Sequence, residues 1–195
     1  FSCYKEEIIV TPKEPETVTP TPIPPVNETV DLFKMEDLPE IKLTVPLKDW
    51  NLLLSNYDIN PNNNEKVVSH FQFELNGKKY LLDSIGIRIK GNTSRKRPEK
   101  PAGQPHNASA PDWSHCHFAL DFNKFKKKQS FSNKKALDLK WFKDDSNYAR
   151  EIYCYDLFER FGVWTAPQAS YCKLTIHVQA DSKPAYYGVY AMVEN

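Results

Sequence analysis

The stretch at residues 83–97, DSIGIRIKGNTSRKR, constrains the fold more than any other part of the chain. Ile85, Ile87 and Ile89 alternate with Gly86, Arg88 and Lys90, the period-two pattern of a strand with one buried face. The alternation stops at Gly91-Asn92, where a positive φ costs little, and runs on into Thr93, Ser94, Arg95, Lys96 and Arg97. A strand thus delivers Arg88 and Lys90 to one face, and a turn sets hydroxyls, an amide and more cations beside them. The residues allow two readings: an anion site suited to phosphate, held by charge-assisted hydrogen bonds and backbone amides, or the solvated polar edge of a sheet.

Residues 38–45, 67–75, 79–82, 115–125, 136–141, 171–178 and 186–193 also read as strands, with Asn76-Gly77 as a tight hairpin turn. Residues 46–55 read as a short helix with Trp50, Leu53 and Leu54 inward. One long helix is capped by Asp145 or Ser146 and ended by Gly162, with Ile152, Tyr155, Phe158 and Phe161 as its buried stripe. Residues 98–111 form a loop or insertion. The order sheet, one long helix, sheet predicts an α+β domain with a mainly antiparallel sheet.

That domain occupies residues 30–195, and residues 1–29 stand apart. Phe1-Ser2-Cys3 looks like the end of a bacterial lipobox with Cys3 as the acylated residue, unless the chain simply begins near a cysteine. Lys5-Glu6-Glu7 resembles the acidic tract after the lipidated cysteine of surface-exported Bacteroidetes lipoproteins. The following TPKEPETVTPTPIPP lacks core-forming residues and suits a stiff polyproline-like spacer. An exported, cell-surface lipoprotein is the expectation, in contact with a membrane only through a lipid on Cys3.

Charge is balanced overall, with 26 Lys and Arg against 25 Asp and Glu, so no global field favours nucleic acid or membrane. It is concentrated locally, at residues 95–97 and 124–128. Cys3, Cys116, Cys154 and Cys172 have no CxxC spacing and do not make a disulfide scaffold or a structural zinc site. Cys154 and Cys172 could pair if the chain is exported, which the sequence leaves open, and Cys154 otherwise reads as a small core residue. His115 and His117 share a strand face but have no third metal ligand at a useful spacing.

Lys140, in the strand before the long helix, and Glu151, in that helix's first turns, match the way kinase-like proteins hold nucleotide phosphates. The plain alternative is an exposed lysine and a locally paired glutamate. IGIRIKGNTS, KALDLKWFKDD, REIYCYDLFERFGVWTAP and YYGVYAMVEN, in this order and at these distances, resemble the spore-coat protein H (CotH) family of secreted atypical kinases, from about residue 38 onward. The resemblance implies a fold like the small lobe of a protein kinase. It implies ATP and Mg²⁺ as cofactors and Ser or Thr of surface or secreted proteins as acceptors. On it, Lys140 and Glu151 form the nucleotide pair, Arg88, Lys90, Gly91, Asn92 and Ser94 lie on the phosphate side, and Glu194 leads to the hinge. The family's metal-binding aspartates belong to a large lobe beyond Val193-Glu194-Asn195, so the chain reads as ending at the hinge, without catalytic residues or metal ligands and inactive alone. The rival reading is a non-catalytic surface module that binds a glycan or a partner protein.

Overall fold

The computed structural model describes residues 29–195. β1 (Glu40–Val45) leads into α1 (Leu47–Ile59), then β2 (Val67–Leu75) and β3 (Lys78–Lys90) form a hairpin. Short strands β4 (Glu99–Lys100) and β5 (Asp112–Trp113) pair across the loop at 101–111, followed by β6 (His117–Asp121) and β7 (Ala136–Lys140). The chain continues through α2 (Arg150–Arg160), β8 (Ala169–Val178) and β9 (Ala185–Glu194).

Seven strands close into a barrel in the order β1-β2-β3-β6-β7-β9-β8. This corrects the expected α+β kinase-like small lobe: the described residues are mostly β, with two short helices and no long one among them. The helix expected from Asp145 or Ser146 onward has 11 residues and is shorter than the 13-residue α1. The physical reason lies in β1. It pairs antiparallel with β2 and also parallel with β8, Glu40 opposite Lys173 through Val45 opposite Val178, so neither sheet edge is left open.

The strand phases agree with the alternation. Ile85, Ile87, Ile89, Phe118, Leu120, Leu137 and Leu139 are buried inside the barrel with Ile41, Leu43, Phe71 and Phe73. Asn76 and Gly77 both take positive φ (51° and 77°), as the hairpin twist demands. Trp50, Leu53 and Leu54 of α1 join this core. α2 lies outside the barrel on a second cluster of Phe142, Ile152, Ala191 and Val193. Of its expected buried stripe only Ile152 is buried, whereas Phe158 and Phe161 are 46% and 81% exposed.

One polar group is fully buried where the 101–111 loop crosses the barrel. His106 Nδ1 lies 2.8 Å from Glu99 Oε2 and its Nε2 2.8 Å from Asp181 Oδ1, with all three side chains at most 6% exposed. Trp50 Nε1 donates to the same Glu99 oxygen at 3.0 Å, and the Asn107 amide donates to the other at 3.2 Å. Burial opposes charge on the imidazole, but its hydrogen bonds to two carboxylates outweigh this and raise its pKa. His106 thereby joins the loop, α1 and the turn between β8 and β9.

Candidate functional site

The outward face of three neighbouring strands builds the site. Arg88 and Lys90 alternate out of β3, Lys90 lies opposite His117 of β6, and Lys140 ends β7 beside it. α2 packs on β8 and β9, and Glu151 in its first turn reaches Lys140. Arg88, Lys90, Gly91, Asn92, Ser94, Lys140 and Glu151 line one cavity of about 480 Å³. Residues 52 positions apart in the chain, Arg88 and Lys140, are brought to one cavity by strand pairing alone.

Lys140 Nζ donates to Glu151 Oε1, and Tyr155 Oη donates to the same oxygen at 3.3 Å. Burial works against the ammonium, but Glu151 more than offsets it and its pKa is raised. Lys140 is therefore a fixed, fully charged donor. Lys90 is committed to Asp138, whose other oxygen accepts from Asn195 Nδ2 at 2.9 Å. Arg88 donates to Asn64 Oδ1 at 3.1 Å.

Two further residues that the sequence reading did not assign to the site shape this cavity. Arg95 Nε donates to the Gly91 carbonyl at 2.8 Å, while its other nitrogens reach the carbonyls of Pro61 and Asn63 at 3.0 Å and Asn64 Oδ1 at 3.1 Å. It staples the Gly91 turn to the 60–64 loop. His117 accepts the Trp141 amide on Nδ1 at 3.1 Å, which leaves the proton on Nε2 of the neutral ring. Burial, ahead of the opposing effect of Glu151, lowers its pKa and keeps it neutral. Arg95 sits in the visible RKR cluster, and His117 has the strand phase that points outward, so both left a local signal; their partners did not.

Gly91 carries the turn. Its φ is +120°, and a Cβ there would lie 2.9 Å from both the Arg95 amide nitrogen and Ser94 Oγ. Gly91→Ala is therefore expected to lower stability by about 1–3 kcal/mol and to shift the turn out of the cavity wall. Thermal unfolding together with anion titration checks this; an unchanged midpoint and affinity would show that the turn adapts freely.

His117, Ser94 and Glu151 also border a second cavity of about 570 Å³ with Trp141, Phe142, Tyr155 and Phe158 in its wall. His115 stacks on Trp141 at 5.4 Å with planes 18° apart, and His117 lies 6.4 Å from the same indole. The two histidines thus flank one ring instead of sharing an ion. Among the described residues no group of three or more His, Cys, Asp or Glu side chains is placed to hold a metal. Asp138 and Glu151, the carboxylates beside the cationic cavity, are each engaged by a lysine. The donor set suits an anion such as a nucleotide's phosphates and does not fit Mg²⁺.

Glu194, expected near a hinge, stands apart from this group. It lines a third cavity of about 350 Å³ with Tyr155 and Trp164. Its carboxylate accepts from Lys134 Nζ at 2.5 Å and the Gln168 amide at 3.2 Å, and the Lys134 hydrogen bond lowers its pKa. Cys154 is exposed on α2 and borders the second cavity, so it is not a core residue. It is free, as are the buried Cys116 and Cys172, so Cys154 and Cys172 are not bonded. Burial raises the pKa of both buried thiols, and of these three a thiol reagent should label Cys154 alone until the protein unfolds. Peptide mapping of the labelled sites reads this directly. Cys3 and the spacer at residues 11–25 lie outside the described residues.

No curated protein and no solved structure matches the chain. A family model does: residues 87–195, from the last four residues of β3 through β9, match CotH kinase protein. The match starts later than the resemblance from residue 38 implied, leaving β1, α1 and β2 outside it, yet it contains the Gly91 turn, Lys140, α2 and Glu194. It covers more than half of the 195 residues, and the chain belongs to the CotH kinase protein family.

Proposed function

We propose that the chain binds the phosphates of ATP in the cationic cavity and serves phosphoryl transfer to Ser or Thr of surface or secreted proteins. The observation that carries this reading is the Lys140–Glu151 ion pair between β7 and α2, at the edge of a cavity also lined by Arg88, Lys90 and the Gly91 turn. Lys140, held by Glu151, supplies a fixed positive charge to phosphate oxygens. Arg88 and the turn add donors, and neutral His117 offers Nε2–H. Glu194 belongs to a hinge in this reading. Mg²⁺ has no ligand set among the described residues.

Titration with ATP and with its non-hydrolysable analogue, followed by thermal unfolding, tests the reading. A ligand at one hundred times its dissociation constant stabilises by about 2.7 kcal/mol, a shift of several degrees for a domain of this size. An unmoved midpoint at millimolar nucleotide would overturn it. In the same reading the protein is an exported cell-surface lipoprotein of Bacteroidetes type, anchored by acylation of Cys3. The intact mass of the native N-terminal peptide, with or without an acyl increment, decides that.

A second reading is supported by a different surface. Trp164 is 90% exposed, Phe161 81% and Val163 42%, at the end of α2 beside the third cavity. Exposed flat aromatics suit stacking on a glycan or packing on a partner protein. Trp164→Ala abolishing capture of such a partner, with nucleotide binding absent, would favour the non-catalytic module.

A further inference from the structure

The loop between β6 and β7 is the most concentrated charge on the described surface outside the cationic cavity. Lys124, Phe125, Lys126, Lys127 and Lys128 are consecutive and all exposed, with Phe125 at 44%. None of these four lysines forms an ion pair with a described residue. The carboxylates at the loop's root are already engaged, Asp121 by Lys66 and Asp83 by His70 at 2.6 Å. The loop is also well tied down. Gln129 Nε2 donates to the carbonyls of Phe122 and Asp83, both at 2.9 Å, and the Asn123 amide donates to Asp121 Oδ1 at 3.1 Å.

The loop thus presents a part-exposed aromatic ring among four lysines, of which only Lys126 is seen to act electrostatically on a nearby carboxylate, that of Asp83. The ring is costly to leave in water, and the lysines exclude a purely apolar partner. A lipid surface with anionic headgroups meets both demands, taking the ring at the acyl boundary and the ammonium groups at the phosphates. Single-stranded nucleic acid fits less well, because the loop has one aromatic and no guanidinium to stack on bases. We infer that the loop at residues 124–128 is an interfacial contact for an anionic lipid surface, with Phe125 as the inserted side chain.

β6 runs from His117, in the wall of the cationic cavity, to Asp121, at the root of this loop. Four rises of a strand separate the two by roughly 13 Å. Lipid contact at the loop thus leaves the cavity at the other end of the strand uncovered. Weak attachment here would set the cavity's orientation to the surface, independently of any acyl chain.

The test uses the full chain with Cys3→Ser, so that no lipid anchor contributes, and vesicles of phosphatidylcholine with or without about one-third phosphatidylglycerol. Co-sedimentation is expected to favour the anionic vesicles at least tenfold and to weaken steeply as salt shortens the Debye length from about 10 Å to about 3 Å. Each Lys→Gln change should reduce partition about fivefold, and the quadruple variant should bring it to the neutral-vesicle level. Phe125→Ser should reduce it severalfold with salt sensitivity kept. All five positions are exposed, so an unchanged thermal midpoint separates these effects from misfolding. Equal partition to both vesicle types, partition that survives the quadruple variant, or an unaltered Phe125→Ser variant overturns the inference. So does a result in which a soluble oligonucleotide or polyglutamate binds and vesicles do not.

Discussion

Lys140→Ala is expected to cut ATP affinity at least thirtyfold while moving the unfolding midpoint by only a few degrees. The side chain lies at the end of β7, part-exposed and outside the barrel core, so its removal opens no buried cavity. Its loss does leave Glu151 unpaired beside the cavity, and an uncompensated carboxylate there repels phosphate. Losing one partner of a hydrogen-bonded charge pair costs about 2–5 kcal/mol in such settings, which converts to the stated factor or more. Glu151→Gln should fall between the parent and Lys140→Ala, because it frees the ammonium without removing it. Calorimetric titration of the three proteins checks the order. The raised pKa of Lys140 adds a pH signature: the pair is intact below the ordinary lysine value of 10.5 and is lost only as pH rises through the folded-state value. ATP affinity should therefore be insensitive to loss of this charge between about pH 6 and 9. An Ala variant that binds ATP like the parent would mean that the phosphates do not sit against Lys140.

His106→Ala is expected to destabilise the domain by about 3–5 kcal/mol, roughly a 10 °C fall in midpoint. The substitution strands the Glu99 and Asp181 carboxylates in a site where both are almost wholly buried. Titration gives the independent signature. The folded pKa of His106 is raised above the ordinary 6.5, so the stabilisation is complete below about pH 6.5 and fades as pH rises through the folded value. The parent should unfold at a higher temperature at pH 6 than at pH 8 from this contribution. A His106→Asn variant should lose that part of the slope. A parent midpoint that rises between pH 6 and 8 by the same amount in both proteins would show that the imidazole carries no charge in the fold.

Local patterning reached the strands and much of the cavity. Period-two alternation identified the buried faces of β3, β6 and β7, and with them the outward direction of Arg88, Lys90 and Lys140. The Asn76-Gly77 turn was legible because its backbone demand is intrinsic to those residues. The pairing of Lys140 with Glu151 rested on the family resemblance, since no spacing rule joins a strand lysine to a helix glutamate. What stayed hidden was set by distant partners. Nothing in EIKLTV says that it pairs in parallel with a strand more than a hundred residues later, so the sheet read as open and the class as α+β. The apolar period of α2 was real, but periodicity does not say what covers a face, and Phe158 and Phe161 face outward. The His106 group combines β4, the loop after it, the β8–β9 turn and α1, each unremarkable by itself, so no single stretch revealed it.

The parallel pairing of β1 with β8 has a consequence for how the chain is made. β1 is synthesised early, yet its second partner begins at Ala169, so one long edge of the growing sheet stays unpaired until most of the domain exists. At ribosomal rates of about 5–20 residues per second that interval lasts roughly six to twenty-five seconds. Throughout it, β1 presents an edge to any other nascent chain. A recombinant piece cut at residue 87, where the family match begins, would leave β8 and the remnant of β3 as permanent open edges, because it lacks β1, β2 and nine of the thirteen residues of β3. Such a piece should accumulate as insoluble material, whereas one beginning before β1 should not.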